Sequence, residues 1–366
     1  MKPTTLLSRT SARTLLAAGL AASLALAAGC AKSEDDSTGG ESSASQDQGD
    51  SGQVVSEPGA GGATCAIDAY GGKKLDLRSA KVGFSQSEKE ANPFRIAETA
   101  SIKAEAEKRG VDLLTANAQS QFSKQISDVQ DLIAKGADLL VIAPLNSDGW
   151  EPVLRSAAAK HIPIVTIDRK INAKACEDYV SFIGSDFVEQ GKRAADQMIE
   201  ATGGKGKVAI LLGAAGNNVT TERTKGFEDR IKAKAPGLKV VFKQTGEFAR
   251  EKGQQVTEQL IQSKPDIDGI YAENDEMGLG AVNALKGAGK KPGDVKIVTV
   301  DGTRNAVRGI VDGWIHGVIE SNPRFGPLAF QTLDTFTKGE KVAQDIVIKD
   351  SAYTKDNAKS DLGKAY

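Results

Sequence analysis

Histidine is nearly missing from this sequence: there are two in 366 residues, His161 and His316, far apart along the chain. That scarcity argues against a His-rich metal centre or a His-centred catalytic triad, while carboxylate chemistry stays open. An excess of charge is missing too. With 47 Lys and Arg against 48 Asp and Glu, no overall field favours nucleic acid or an anionic membrane. Phosphate-cradling loops are also lacking. Gly203-Gly204-Lys205-Gly206-Lys207 has no Ser or Thr after its lysine and precedes a strand, where a P-loop must follow one, and Gly278-Leu279-Gly280 breaks down at Asn283.

What is present begins with an address. Lys2, Arg9 and Arg13 form a basic opening to an Ala- and Leu-rich run, 15–28, too short to span a bilayer comfortably. The run closes on Leu26-Ala27-Ala28-Gly29-Cys30, which resembles a lipobox with Cys30 as the lipidated residue; the alternative is a plain signal peptide and an incidental cysteine. Arg9 and Arg13 are not adjacent, so no twin-arginine route is indicated. Residues 31–62 are Ser, Gly, Asp, Glu and Gln with few apolar side chains, which reads as a disordered tether. With Cys30 assigned to lipid, Cys65 and Cys176 remain in an oxidising compartment. They are expected as a disulfide or, alternatively, as two free buried thiols.

From residue 81 onward short β-rich runs alternate with helical spacing. Strands are expected at 81–85, 111–116, 139–143, 164–167 and 180–183, then at 207–212, 239–243, 269–272, 295–300 and 315–319. Helices are expected over 95–109, 121–135, 149–160, 188–200, 222–234, 252–263 and 277–287. Such alternation makes an α/β fold with parallel sheets covered on both faces. Ten strands with a near-restart at Lys207 divide naturally into two doubly wound lobes. In such sheets ligands sit beyond the carboxyl ends of the strands, so two facing lobes create one cleft.

The residues after those strand ends share a chemistry. Ser85 and Gln86 are followed by Asn92, Phe94 and Arg95, and Asp168-Arg169 follows the fourth strand. Arg223, Phe248, Asn274 and Asp301 follow strands of the second half. A monosaccharide offers hydroxyls that donate and accept, plus a C–H face. Carboxylates and amides accept or bridge those hydroxyls, a guanidinium donates a planar fork, and an aromatic ring covers the apolar face. Each residue also has a plainer reading: Asp168 and Asp301 as helix caps, Asn274 as a turn residue, Arg169 as a surface ion-pair partner, Phe94 and Phe248 as core.

Taken in order, Gly83-Phe84-Ser85-Gln86, Asn92-Pro93-Phe94, Ile167-Asp168-Arg169, Arg223-Thr224-Lys225-Gly226-Phe227, Asn274-Asp275-Glu276-Met277 and Asp301-Gly302-Thr303 resemble the type I (ribose-binding-like) periplasmic sugar-binding family of ABC importers, across about 81–351. The resemblance implies two lobes on a three-segment hinge that crosses near 184–185, 320–323 and 350–352. The first lobe would comprise 63–184 plus 323–350, and the second 185–321 plus 351–366. It implies a monosaccharide hydrogen-bonded by Asp168, Arg169, Arg223, Asn274 and Asp301 and stacked on Phe94 and Phe248, with no cofactor, metal or catalytic residue. The implied partner is an ABC permease, and the chain would be a monomer lipid-anchored at the cell envelope. Within the family, Arg95-x-Ala97-Glu98-Thr99, Gly149-Trp150-Glu151-Pro152-Val153-Leu154 and Phe248-x-Arg250-x-Lys252-Gly253 resemble the branch that binds galactofuranose. Arg95 stands where ribose-type members carry a second aromatic. Together with Gln86 it is expected to read polar groups beyond the sugar ring. Two features depart from the pattern: the charged loop with Glu88, Lys89 and Glu90, and the extension bearing Cys65.

Three other readings compete. Asp168 and Asp301 as acid and base would make a sugar-processing enzyme, but each has a neutral or cationic neighbour expected to keep it ionised, and there is no nucleophile elbow. A sugar-responsive transcription regulator would need a basic DNA-binding helix pair where this chain has a signal and an acidic tether. A sensor that presents sugar to a membrane receptor would use the same closed form.

Overall fold

The structure is a computed structural model that describes residues 54–55 and 62–366. The expected signal segment, Cys30 and the expected tether, except residues 54–55 and 62, lie outside the described residues. Among the described residues no helix is long and apolar enough to cross a membrane.

The chain opens with two short strands, β1 (Val54–Val55) and β2 (Thr64–Cys65), and a helical turn, α1 (Ile67–Tyr70). Regular alternation follows: β3 (Lys81–Gln86), α2 (Pro93–Arg109), β4 (Asp112–Asn117), α3 (Phe122–Ala134), β5 (Leu139–Ile142), α4 (Glu151–Ala158), β6 (Ile164–Ile167) and β7 (Ser181–Ser185). Every residue of β5, β6 and β7 is buried, the continuous apolar signature of a parallel strand covered on both faces, whereas β4 at the flank is half-exposed. The parallel order β4-β3-β5-β6-β7 reverses chain direction at β3, which makes the carboxyl end of β3 a switch point.

The pattern then repeats in a second sheet. Helix α5 (Phe187–Thr202) leads to β8 (Lys205–Leu212), α6 (Asn218–Lys234), β9 (Gly237–Thr245), α7 (Arg250–Ser263), β10 (Gly269–Ala272), α8 (Asp275–Gly287), β11 (Lys296–Asp301), α9 (Arg304–Val311) and β12 (Gly317–Glu320). The order β9-β8-β10-β11-β12 has the same winding, with its switch at β8. The chain then returns to the first sheet. Helix α10 (Gly326–Thr337) packs on α2, β13 (Val342–Ala343) pairs with β2, and β14 (Asp345–Lys349) runs parallel beside β7, with β1 antiparallel on its outer edge. A last crossing puts β15 (Ala352–Tyr353) antiparallel to β12 and ends in α11 (Ala358–Asp361) on α9. The fold is thus α/β with two doubly wound lobes. The ten expected strands are all present; β1, β2, β13, β14, β15, α1, α9, α10 and α11 add to the expected elements.

The crossing segments are stitched together where they pass. Asp350 accepts from Ser185 Oγ (3.0 Å) and Gln190 Nε2 (2.7 Å), Arg193 reaches the carbonyls of Asp350 and Ser351, and Glu320 and Ser351 exchange backbone and carboxylate bonds. Burial pushes the Asp350 carboxyl up to about 7 against those donors. In the first lobe Cys65 and Cys176 form a disulfide, their Cα atoms 5.1 Å apart, which ties β2 to the loop between β6 and β7.

Candidate functional site

Strand ends from both lobes converge on one cleft. Its inner cavity is lined by Glu88, Asn92, Phe94, Arg95, Asp168, Arg169, Val219, Arg223, Phe248, Asn274 and Asp301. Nine of the eleven residues expected from sequence therefore meet here. The lobes touch around it. Ser147 N donates to Gly216 O (2.9 Å), Lys170 N to Asn218 Oδ1 (3.2 Å), and the Arg169 guanidinium lies 5.8 Å from the centre of the Phe248 ring across the cleft.

Local folding explains each position. Asn92 caps α2 by accepting from Phe94 N (2.9 Å), and Pro93 fixes the first turn, so Phe94 and Arg95 emerge at the cleft. Asn274 caps α8 through Met277 N (3.0 Å) while its amide donates to Phe248 O (3.2 Å). For these two asparagines the capping role and the cleft position coincide. Asp168 and Asp301 are not caps; the cap of α9 is Thr303. Both aspartates carry positive φ, 64° and 139°, as does Phe248 at 58°, so three non-glycine residues of the cavity wall sit in a conformation costing about 1–3 kcal/mol each. Strain of this kind persists only where the surroundings over-determine it. Asp275 supplies that constraint for Asp301: its carboxylate accepts from Gly302 N (2.9 Å), Thr303 N (2.7 Å) and the hydroxyls of Thr303 and Thr299. Gly213 supplies it for Phe248, since a Cβ there would fall 2.0 Å from the ring.

The first lobe's wall is a network of charges. Arg95 Nη1 bridges Asp168 Oδ2 (2.8 Å) and Glu98 Oε2 (2.9 Å), while Arg95 Nε donates to Glu88 Oε2 (3.1 Å). Arg169 Nη2 donates to the other oxygen of Glu88 (2.7 Å). Burial disfavours the Glu88 charge, but the Arg169 and Arg95 guanidiniums outweigh it and hold its carboxyl at about 2. Glu98, deeper and without that surplus of cations, is raised by burial to about 7.

The second lobe's wall is poorer in compensation. Arg223 Nε donates to Gln190 Oε1 (2.8 Å), its Nη1 to the Glu273 carbonyl, and its Nη2 lies 3.6 Å from Asp301 Oδ1. Burial pushes the Asp301 carboxyl well above the usual range, and the carboxylates of Asp275 and Asp168 add to the rise. The expectation that its neighbour keeps Asp301 ionised is therefore corrected: one guanidinium at 3.6 Å does not offset full burial. Glu273, which accepts from Gly213 N (2.7 Å) and the Thr224 hydroxyl, is likewise raised by burial to about 7.

Ser85 and Gln86 are not on the cavity wall. Strand β3 runs one residue further than expected and pairs Gln86 with Asn117. The Gln86 amide is spent beneath the site, donating to Glu98 Oε2 (2.8 Å) and Thr99 Oγ1 (3.1 Å) and accepting from Ser87 N (2.9 Å), so it orients Glu98 and through it Arg95. Ser85 is fully buried, 3.3 Å from the Gln125 amide. Sequence reasoning missed Glu88 and Val219. Glu88 stood in plain view in the charged loop, read as a departure rather than as a cleft residue. Among the described residues no group of three or more His, Cys, Asp or Glu could hold a metal.

The comparisons agree with this geometry. The family model described as periplasmic binding protein domain matches residues 82–341. The galactofuranose-binding protein of Escherichia coli (strain K12) is 36% identical over 289 residues, 77% of this chain and 90% of that protein. The ribose import binding protein of Bacillus subtilis (strain 168) is 38% identical over 256 residues, 70% of this chain and 81% of that protein. Among solved structures, the periplasmic binding protein of the arabinose ABC transporter from Shewanella sp. ANA-3, bound to α- and β-L-arabinofuranose, superposes with a TM-score of 0.75 at 37% identity, covering 78% of this chain and 95% of that one. With a matching domain, two equally wound lobes and a polar cleft between them, the chain belongs to the type I periplasmic sugar-binding proteins of ABC importers.

Proposed function

We propose that the chain is the substrate-binding lipoprotein of an ABC sugar importer, closing over a monosaccharide in furanose form, galactofuranose or a close relative, and handing it to the permease. The observation that carries this reading is the set of side chains that the strand ends bring to one cleft: three guanidiniums, three carboxyls, two capping asparagines and two aromatic rings. Phe94 and Phe248 offer faces for the C–H side of a ring, and Asp168, Arg169, Arg223, Asn274 and Asp301 offer fixed acceptors and donors for hydroxyls. Arg95 in place of a second aromatic favours a ligand with a polar exocyclic arm, and the galactofuranose and arabinofuranose ligands of the relatives point the same way. The three crossing segments 184–185, 320–323 and 350–352 serve as the hinge between lobes 63–184 plus 323–350 and 185–321 plus 351–366. Cys30 carries the lipid, so Cys30→Ser should release the protein from membranes.

A thermal-shift and titration series with galactofuranose, L-arabinose, D-fructose and D-ribose tests the reading, because a ligand that binds only the native state raises the melting temperature. Galactofuranose or a furanose-rich sugar should bind at least about tenfold tighter than ribose, a difference of about 1.4 kcal/mol. A preference for ribose would remove the furanose assignment; no response to any sugar would remove the substrate class.

A further inference from the structure

We infer that Glu88 fills the place in the cleft that the carboxylate of an acidic sugar would take, and so restricts the site to neutral monosaccharides. This rests on the sugar-binding reading of the same cleft and names its substrate class. Glu88 comes from the loop between β3 and α2 rather than from a strand end, and Asn117 Nδ2 pins its carbonyl (2.9 Å). Its two carboxylate oxygens are divided between two cations of the cavity wall, Arg95 Nε at 3.1 Å and Arg169 Nη2 at 2.7 Å. Arg95 Nη1 is committed to Glu98 and Asp168, and Arg169 Nη1 to the carbonyls of Pro144 and Leu145, while Arg169 Nε, 3.6 Å from Asp168 Oδ2, makes no hydrogen bond. The N–H pair facing Glu88 is therefore the place where two guanidiniums jointly offer charge-assisted bonds to an anion. The protein has put its own carboxylate there.

Arg95, Arg169 and Arg223 bring three cations to the cavity wall, and Glu88 bridges two of them. A ligand bringing a second carboxylate meets a like charge fixed between its natural partners. Neutral hydroxyls meet an acceptor instead. Because both arginines hold Glu88 at about 2, the exclusion persists throughout the physiological pH range.

Titration calorimetry on wild type and Glu88→Gln with L-arabinose, D-galactose, L-arabinonate and D-galacturonate tests this. Wild type should bind a neutral sugar and reject both acids. In Glu88→Gln the ratio of neutral-sugar to acid dissociation constants should move by about 100-fold toward the acids, and the new affinity should weaken with added KCl. Glu88→Ala, which removes the carboxylate without an amide in its place, provides a second folded variant, with circular dichroism verifying both. Folded variants that bind neutral sugars yet still reject the acids would overturn the role of Glu88 and leave the sugar-binding reading standing. A wild type that takes acids as readily as neutral sugars would also overturn it. A wild type that takes none of the four, and none of galactofuranose, D-fructose and D-ribose, would overturn both.

Discussion

The two lobes repeat one winding but build their halves of the cleft by different means. The first lobe sets its wall with ion pairs: Glu88, Arg95, Glu98, Asp168 and Arg169 lock one another in place within 3.6 Å. The second sets its wall with backbone: positive φ at Phe248 and Asp301, an Asp275 carboxylate bonded to main-chain amides, and helices brought close by glycine. A Cβ on Gly191 or Gly226 would meet a carbonyl across the α5–α6 contact at 2.2 or 2.1 Å, and Gly253 and Gly280 play the same part between α7 and α8. A wall made of charges tolerates changes of shape but not of charge. A wall made of backbone does the reverse.

The largest expected effect breaks the comparison on the first-lobe side. Only that lobe holds the Cys65–Cys176 disulfide, which spans 111 residues of chain. Its loss through Cys176→Ser should cost about 3–5 kcal/mol, given that closure of a loop near 100 residues is worth about 4.7 in the chain-entropy account. Hydrogen exchange should locate the loss in β6 and β7; equal loss of protection in β10 and β11 would mean that the lobes are not separate cooperative units. Next, Gly226→Val should cost about 2–3 kcal/mol by forcing α5 and α6 apart, with protection lost in the second lobe while Phe84 and its neighbours keep theirs. A melting temperature within about 1 °C of wild type would show that the close approach is not needed.

The smallest effect has the opposite sign and depends on pH. The carboxyl of Glu273 titrates near 7 in the folded state, above its ordinary 4.5, so the native protein holds its proton more tightly than the unfolded chain. Its contribution is fully present below about 4.5 and is lost as pH rises through 7. Glu273→Gln stays neutral and can still accept from Gly213 N. It should stabilise the protein by about 1–2 kcal/mol at pH 8 and lose that advantage at pH 5. An advantage independent of pH would mean that packing, not desolvated charge, sets the effect.

The fold was readable because parallel strands buried on both faces leave uninterrupted apolar runs, as in Leu139–Ile142 and Ile164–Ile167. The elements that sequence did not disclose are mostly short ones whose partners lie far along the chain. β13 is two residues long and finds β2 across the stretch from β3 to α10, and β14 adds beside β7 only after β8 to β12 have intervened. No local period announces such pairings. Helix α6 starts at Asn218 rather than near Glu222, because Asn217 caps it, so Arg223 projects from its second turn. Nine of the residues expected at strand ends line the cavity. The errors were one residue of register at Gln86, which turned a cleft residue into a support, and the loop residue Glu88. A loop carries no periodic signal, so only the fold reveals that this carboxylate points at two arginines.

The topology also orders events in time. All of the second lobe but β15 and α11 is one uninterrupted stretch, α5 to β12, set inside the chain of the first. As the chain emerges from a ribosome or an export channel, β7 appears with one edge unpaired, and β14, which must cover it, arrives only after all of β12. During that interval a fully buried strand presents a bare row of amides and carbonyls, a template for wrong pairing. Cys65 and Cys176, by contrast, both precede β7. Their bond can close before the sheet does, so the nascent first lobe can be clamped while it waits for its last strand.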